Sequence, residues 1–309
     1  MTDTLPPLRI FDGGMGRLLE KLGAPFRLPE WSALSLIEAP HFVRQAHDAY
    51  IAAGADLITT NSYGLVPHML GEERFSNDGL RLTRLAGEIA RAAADASERP
   101  VEVAGSIPPL FESYRPQLYR GDEAPRILNS LIEGLRPFVD SWLIETQSST
   151  LEALTALEAV KGDGKPVYVS YTIKDEKGRT AAPELRSGEP VADAVLKTFE
   201  AGAAAVLFNC SQPEVMGPAV RAARAALAGT IHADKPLGVY ANAFEPEPPS
   251  DSPYEAISEI RNDLDPVHYA NLSADWIADG ATIIGGCCGI GPDHIGELCA
   301  RRLRLSYRR

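Results

Sequence analysis

The chain is poor in sulfur, in positive charge and in uninterrupted apolar sequence. Only four cysteines occur among 309 residues. A disulfide framework is therefore a weak account of its stability, because a chain of this length buries enough apolar surface without staples. Lysine and arginine number 30 against 42 aspartates and glutamates, a net charge of −12, which argues against nucleic acid as a partner. No apolar run approaches the roughly 18 residues of a membrane span. Met1 to Pro7 has neither the basic nor the apolar region of a secretion signal. A soluble, cytoplasmic protein is expected, whose cysteines persist as thiols in a reducing compartment. The six histidines, His41, His47, His68, His232, His268 and His294, form no HxH or HExxH pairing, and no CxxC occurs. A histidine-based metallohydrolase and a dithiol redox site are thus poor readings, and the histidines are expected to be solvated or satisfied in the core.

What the chain does have is alternation. Runs rich in Val, Ile, Leu and Ala recur, each followed by a helical pattern, which is the signature of βα units and a parallel sheet. The strands read as Leu8 to Asp12, Asp56 to Thr60, Val101 to Gly105, Ser141 to Glu145, Pro166 to Tyr171, Ala204 to Asn209, Leu237 to Ala241 and Ala281 to Gly285. Helices are expected over Ala39 to Ala53, Gly79 to Ala96, Glu123 to Phe138, Ser149 to Val160, Val191 to Ala201, Pro213 to Leu227, Pro266 to Ile277 and Pro292 to Leu303, several opened by proline. No Pro/Gly/Ser linker divides the units, so one α/β domain over 1–309, a (β/α)8 TIM barrel, is favoured over a doubly wound sheet with a second domain. Glu20 to Pro40 and the acidic, proline-rich Phe244 to Asp251 read as insertions after strands one and seven, either covering an active site or lying solvated on the surface.

On a barrel, chemistry collects at the carboxyl ends of the strands. Three of the four cysteines fall there: Cys210 in Asn209-Cys210-Ser211, and Cys287 and Cys288 in Gly285-Gly286-Cys287-Cys288-Gly289. Cys299 lies on a helical pattern and reads as a small buried hydrophobe. Neighbouring side chains of an extended strand point to opposite faces, so Cys287 and Cys288 share one target only if the backbone bends. Gly285, Gly286 and Gly289 would permit that by adopting φ/ψ values closed to other residues. Three sulfurs without a fourth protein ligand suit a catalytic zinc, which keeps one position open.

Three thiolates around Zn²⁺ leave a formal charge of −1. Such a site is a poor Lewis acid toward carbonyls but keeps a bound sulfur electron-rich, and an incoming thiol would lose its proton there at neutral pH. A cationic methyl donor would be drawn to the same anionic mouth. Hydrolysis by bound hydroxide is less natural, since it favours neutral histidine ligands.

With these motifs the chain resembles the homocysteine S-methyltransferases over essentially its full length. The stretches that carry the resemblance are Asp12-Gly13-Gly14, Trp31-Ser32, His47 to Tyr50, Ala53-Gly54-Ala55-Asp56, Thr59-Thr60-Asn61, Gly105-Ser106, Glu145-Thr146, Asn209-Cys210 and Ile284 to Gly289. The resemblance implies a (β/α)8 barrel, zinc on Cys210, Cys287 and Cys288, and homocysteine as the acceptor. It further implies a substrate site around Asp12, Gly13, Gly14, Met15, Asn61 and Glu145. Glu145 would pair with the homocysteine ammonium, and the amides near Gly13, Gly14 and Met15 would cradle its carboxylate.

Where many members continue after Gly105-Ser106-Ile107 with a Gly-Pro-Tyr turn, this chain has Pro108 to Pro116, a loop expected over the barrel mouth where the donor binds. A single-domain length is expected to leave no room for a cobalamin or folate module, which points to a small donor: S-methylmethionine first, then S-adenosylmethionine or betaine. Other readings stay open. One is a methyltransferase for another thiol or a selenol. Another is a zinc or thiol-sensing protein without turnover, and a third is a glycosidase using the Asp12 and Glu145 carboxylates, which would leave the cysteines unexplained. The basic stretch Arg301 to Arg309 is expected to complement the last helix's negative end, or to serve a homo-oligomer contact.

Overall fold

Alternating apolar side chains on parallel strands need covering on both faces, and the chain meets this by rolling the strands into a barrel inside a ring of helices. The structure, a computed structural model, describes residues 7–176, 182–245 and 259–306. Its strands are β1 (Arg9–Ile10), β2 (Leu57–Thr59), β3 (Glu102–Ile107), β4 (Ser141–Gln147), β5 (Val167–Tyr171), β6 (Ala205–Asn209), β7 (Leu237–Tyr240) and β8 (Ile283–Ile284). All pair in parallel in the order β1-β8-β7-β6-β5-β4-β3-β2. A bridge between Phe11 and Leu57 joins the two ends of that order.

The helices are α1 (Met15–Lys21), α2 (Ser32–Glu38), α3 (Pro40–Ala53), α4 (Pro67–Leu70), α5 (Glu72–Asp95), α6 (Ala124–Leu135), α7 (Thr150–Val160), α8 (Val191–Glu200), α9 (Pro213–Leu227), α10 (Pro266–Ala278) and α11 (Pro292–Ser306). Proline in the first turn opens six of them, α3, α4, α6, α9, α10 and α11, where its missing N–H has no partner to lose. A capping box of Ser149 and Glu152 starts α7. Among the described residues no helix is long and apolar enough to cross a membrane.

The two-residue period of the strands divides the core. Within β6, Ala205 and Leu207 face the barrel interior, while Val206 and Phe208 face the helices. The interior plug comprises Phe11, Leu57, Ala104, Leu143, Tyr168, Ala205, Leu207, Tyr240 and Ile283. Each large side chain so buried contributes about 1.5–3 kcal/mol. At the amino ends of the strands Arg9 pairs with Glu102, donates to Tyr168 Oη at 2.9 Å and stacks on Phe11 and Tyr168. That end is filled, which leaves the carboxyl ends for a cavity.

All eight expected strands and eight expected helices are present, with shifted ends. The first and last strands shrink to two paired residues each, and α5 begins at Glu72 where Gly79 was expected. Helices α1, α2 and α4 were not anticipated; each has at most seven residues, too short for a 3.6-residue period to register. Cys299 is buried on α11 against Gly54, as a small hydrophobe would be. His47 differs from expectation. It is fully buried on α3 with neither ring nitrogen partnered, and burial pushes its pKa down to about 3, so the imidazole is neutral.

Of the basic stretch, Arg301 bonds Glu297, Asn271 and the Val267 carbonyl, and Arg302 pairs with Asp56. These two arginines tie α11 to α10 and to the chain entering β2. Tyr307 to Arg309, Met1 to Pro6 and the Pro246 to Asp251 part of the insertion lie outside the described residues.

Candidate active site

A cavity of about 470 Å³ opens at the carboxyl ends of the strands, with Cys210, Cys287, Cys288, Asp12, Glu145 and Asn61 among its lining. The Sγ atoms of Cys210, Cys287 and Cys288 all lie within 4.8 Å of one another. Two different backbone devices bring them there. By strict alternation Asn209, like Ala205 and Leu207, faces inward and Cys210 would face the helices. Cys210 instead has φ of 50°, a left-handed conformation uncommon outside glycine, and this returns its sulfur to the mouth.

The second device is a tight turn after β8. Ile290 N–H donates to the Cys287 carbonyl at 3.0 Å, and Gly289 has φ of 83°, the arrangement of a type II turn with glycine at its third position. Cys287 and Cys288 occupy the first two positions, with their sulfurs 4.0 Å apart. The expectation that Gly285 and Gly286 also supply unusual φ/ψ is corrected here, since neither has positive φ. They are small because space is short: a Cβ on Gly286 would lie 2.2 Å from Ile290 Cγ2, and one on Gly285 2.9 Å from Phe11 Cβ. A Cβ on Gly14 would likewise meet the Cys287 carbonyl oxygen at 2.5 Å. Gly14 N–H donates to Ile290 O at 2.9 Å, and Tyr50 Oη donates to Gly14 O at 2.9 Å and to Ile290 O at 3.2 Å. The loop after β1 and the cysteine turn after β8 are therefore one packed unit.

Hydrogen bonds from Cys287 and Cys288, with a further one from Tyr114, hold the Cys210 thiol well below its ordinary value. The same bonding to Cys210 raises Cys287 and Cys288 well above theirs. Bare, the cluster supports one negative charge; three thiolates so close need a cation between them. A soft, thiophilic ion suits this donor set.

Two carboxyls stand beside the sulfurs. Glu145 follows Leu143 on the inward face of β4 and accepts the Ser106 hydroxyl. Burial raises its pKa to about 8, helped by the nearby Asp12 and Cys210 charges and opposed by the Ser106 bond. Asp12 accepts Thr59 N–H at 2.7 Å and Thr59 Oγ1–H at 3.0 Å, yet burial still raises it to about 7. Beyond Glu145 the β4/β5 register breaks, and Thr146 has φ of 59°. Asn209 holds that residue: its Oδ1 accepts Thr146 N–H at 3.0 Å and Ser170 Oγ–H at 2.7 Å, and its Nδ2 donates to Thr146 Oγ1 at 2.8 Å.

Every site residue anticipated from the sequence borders this one cavity, Gly13 and Met15 included. Gly14 lines it too, with its N–H committed to Ile290. Asn61 Nδ2 donates to Ser32 O at 3.0 Å, securing the start of α2 at the mouth. Ser113, Tyr114 and Arg115 of the 108–116 loop also line the cavity, as do Trp31 and Ser32 of the first insertion and Phe244 and Glu245 of the second. Three functional neighbours were missed: Tyr114, whose hydroxyl donates to Cys210 Sγ at 3.0 Å, Arg186, and the Thr59 support of Asp12. Only the sequence-adjacent Asn-Cys pair hinted at the Asn209 clamp.

The family model for homocysteine S-methyltransferase matches residues 9–302. The chain is 28% identical to homocysteine S-methyltransferase YbgG of Bacillus subtilis, over 95% of its own length and 94% of that protein's. It is 27% identical to a selenocysteine methyltransferase of Astragalus bisulcatus, over 93% of this chain and 90% of that one. Among solved structures it superposes on the metallated form of the homocysteine methyltransferase MmuM from Escherichia coli with a TM-score of 0.77 and 25% identity, covering 96% of both chains. A (β/α)8 barrel whose strand ends gather three cysteines and two carboxyls, matched over nearly all its length, belongs to the homocysteine S-methyltransferase family, and the protein is a methyltransferase.

Proposed function

We propose that the protein methylates the thiol of homocysteine, giving methionine, with zinc on Cys210, Cys287 and Cys288 and a small cationic methyl donor. S-methylmethionine is the first candidate donor, with S-adenosylmethionine and betaine behind it. The observation that carries this reading is the convergence of three sulfurs within 4.8 Å beside Asp12 and Glu145, inside one cavity. Zinc bound there would hold an incoming thiol as its thiolate at neutral pH without quenching its nucleophilicity.

The chain's own groups supply position. Glu145, with Asp12 behind it, receives the amino group of the acceptor; an arriving ammonium restores the charged form that burial disfavours in the free protein. The amides of Gly13 and Met15 are the ones offered to its carboxylate, Gly14 being committed to Ile290. Asn61 fixes the α2 segment that walls the cavity. The acceptor sulfur forms a bond to the methyl carbon as the donor's bond to that carbon breaks, and no proton need move in that step. The lining also sets Asp175, Glu176 and Glu245 against Arg17, Arg115 and Arg186, so the preference for a positively charged donor rests on the anionic sulfur cluster.

A selenol acceptor is the second reading, because similar proteins include selenocysteine methyltransferases. Methyl transfer to homocysteine and to selenocysteine, each measured with a panel of sulfonium and ammonium donors on zinc-loaded protein, separates the two. Cys210→Ala, Cys287→Ala and Cys288→Ala should each lose zinc and activity together. Full activity in a zinc-free variant would sink the proposal.

A further inference from the structure

Tyr114 is pinned more firmly than a loop residue usually is. Its φ is 67°, in the left-handed region where a bulky side chain is strained. The Arg186 guanidinium lies over its ring, 5.1 Å from the centroid. Arg186 is itself held by Asp175 at 2.7 Å, and Asp175 accepts the Gln212 N–H at 3.0 Å. The line that begins just past Cys210 therefore ends back on it, where Tyr114 Oη donates to Cys210 Sγ at 3.0 Å. Among the described residues neither Cys287 nor Cys288 receives a hydroxyl donor.

A site that offers an electrophilic methyl group to a thiolate faces a selectivity problem, because its own ligand thiolates are nucleophiles too. Cys210 is the buried one of the three cysteines, turned into the cavity by its strained backbone. We propose that Tyr114 is a positioning residue that spends Cys210's free electron density in a hydrogen bond, so that the donor is attacked by the acceptor sulfur and not by the protein. The inference rests on the methyl-transfer reading given above. In the reaction that Tyr114 suppresses, Cys210 Sγ forms a bond to the donor methyl carbon. The sulfonium C–S bond breaks, its electron pair leaves with the neutral thioether, and Cys210 ends as S-methylcysteine, a poor ligand.

Zinc-loaded wild-type protein and Tyr114→Phe, which keeps the ring and its stacking, would be exposed to iodomethane without homocysteine. Methylation at each cysteine is followed by peptide mass spectrometry, and bound zinc is measured beforehand. Loss of a hydrogen bond to a charged acceptor should speed Cys210 methylation about tenfold, with Cys287 and Cys288 unchanged and initial zinc equal. Arg186→Lys, which keeps the ion pair and loses the planar stack, should fall between. Equal Cys210 rates in two zinc-bearing proteins, or acceleration spread over all three cysteines, overturns the inference. A wild-type protein that takes up no zinc overturns instead the proposed function beneath it.

Discussion

Asn209 grips Thr146 from both sides, accepting its amide at 3.0 Å and donating to its hydroxyl at 2.8 Å. The clamp spans the ends of β4 and β6, and joins the residue after Glu145 to the residue before Cys210. Both Thr146 and Cys210 have positive φ, 59° and 50°, so the placements of the Glu145 carboxyl and the Cys210 sulfur depend on one amide at two strained positions. Asn209→Ala leaves a buried N–H unpaired and should lower stability by about 2–3 kcal/mol. Metal affinity should fall with it, read by competition with a chromophoric chelator. A destabilised variant that still holds its metal as tightly as wild type would separate the clamp from the site.

The close approach of the first and last strand ends makes a second expectation. Gly286 lacks positive φ, so Gly286→Ala adds no backbone strain; it adds a methyl where Ile290 Cγ2 would stand 2.2 Å away. The cysteine turn must then shift, and overpacking of this kind costs about 1–3 kcal/mol. Metal stoichiometry and the denaturation midpoint should both drop. Gly291→Ala, where a Cβ meets nothing within 4 Å, is the matched control and should leave both unchanged.

Glu145 sets a pH dependence. Its folded value of about 8 lies above its ordinary 4.5. Stability from holding that proton is thus full below the lower value and is lost as pH rises through the upper one. Glu145→Gln should match wild type near about pH 5 and melt several degrees higher near about pH 9, followed calorimetrically without substrate. The same variant should raise the KM for homocysteine on the order of thirtyfold, since the ammonium loses its charged partner. Unchanged melting across that range would mean that the carboxyl is already ionised in the free protein.

The architecture was legible because eight short, near-continuous apolar runs alternate with helical patterns, and proline marks many helix starts. The cysteines were legible as a cluster because strand ends are where a barrel gathers its chemistry. The device that turns Cys210 inward was not, since positive φ is advertised by glycine and here falls on a cysteine. Tyr114 escaped for a different reason: it lies 96 residues from its partner, and nothing local to the 108–116 loop signals a contact made across the barrel mouth. Gly285 and Gly286 were read as conformational freedom when the need is room, a distinction that only packing reveals.

The seam between β1 and β8 has a consequence for how the molecule comes to be. Two of the sulfurs ride on a turn that is shaped only when the loop after β1 packs under it, with Tyr50 hooked to carbonyls on both sides. The third arrives from β6, two strands away around the barrel. Until β8 pairs with β1 and the loop after it, the turn that carries Cys287 and Cys288 lacks the packing seen here. Metal held there as proposed would report barrels in which β8 has met β1, and its uptake during refolding would time that non-local pairing.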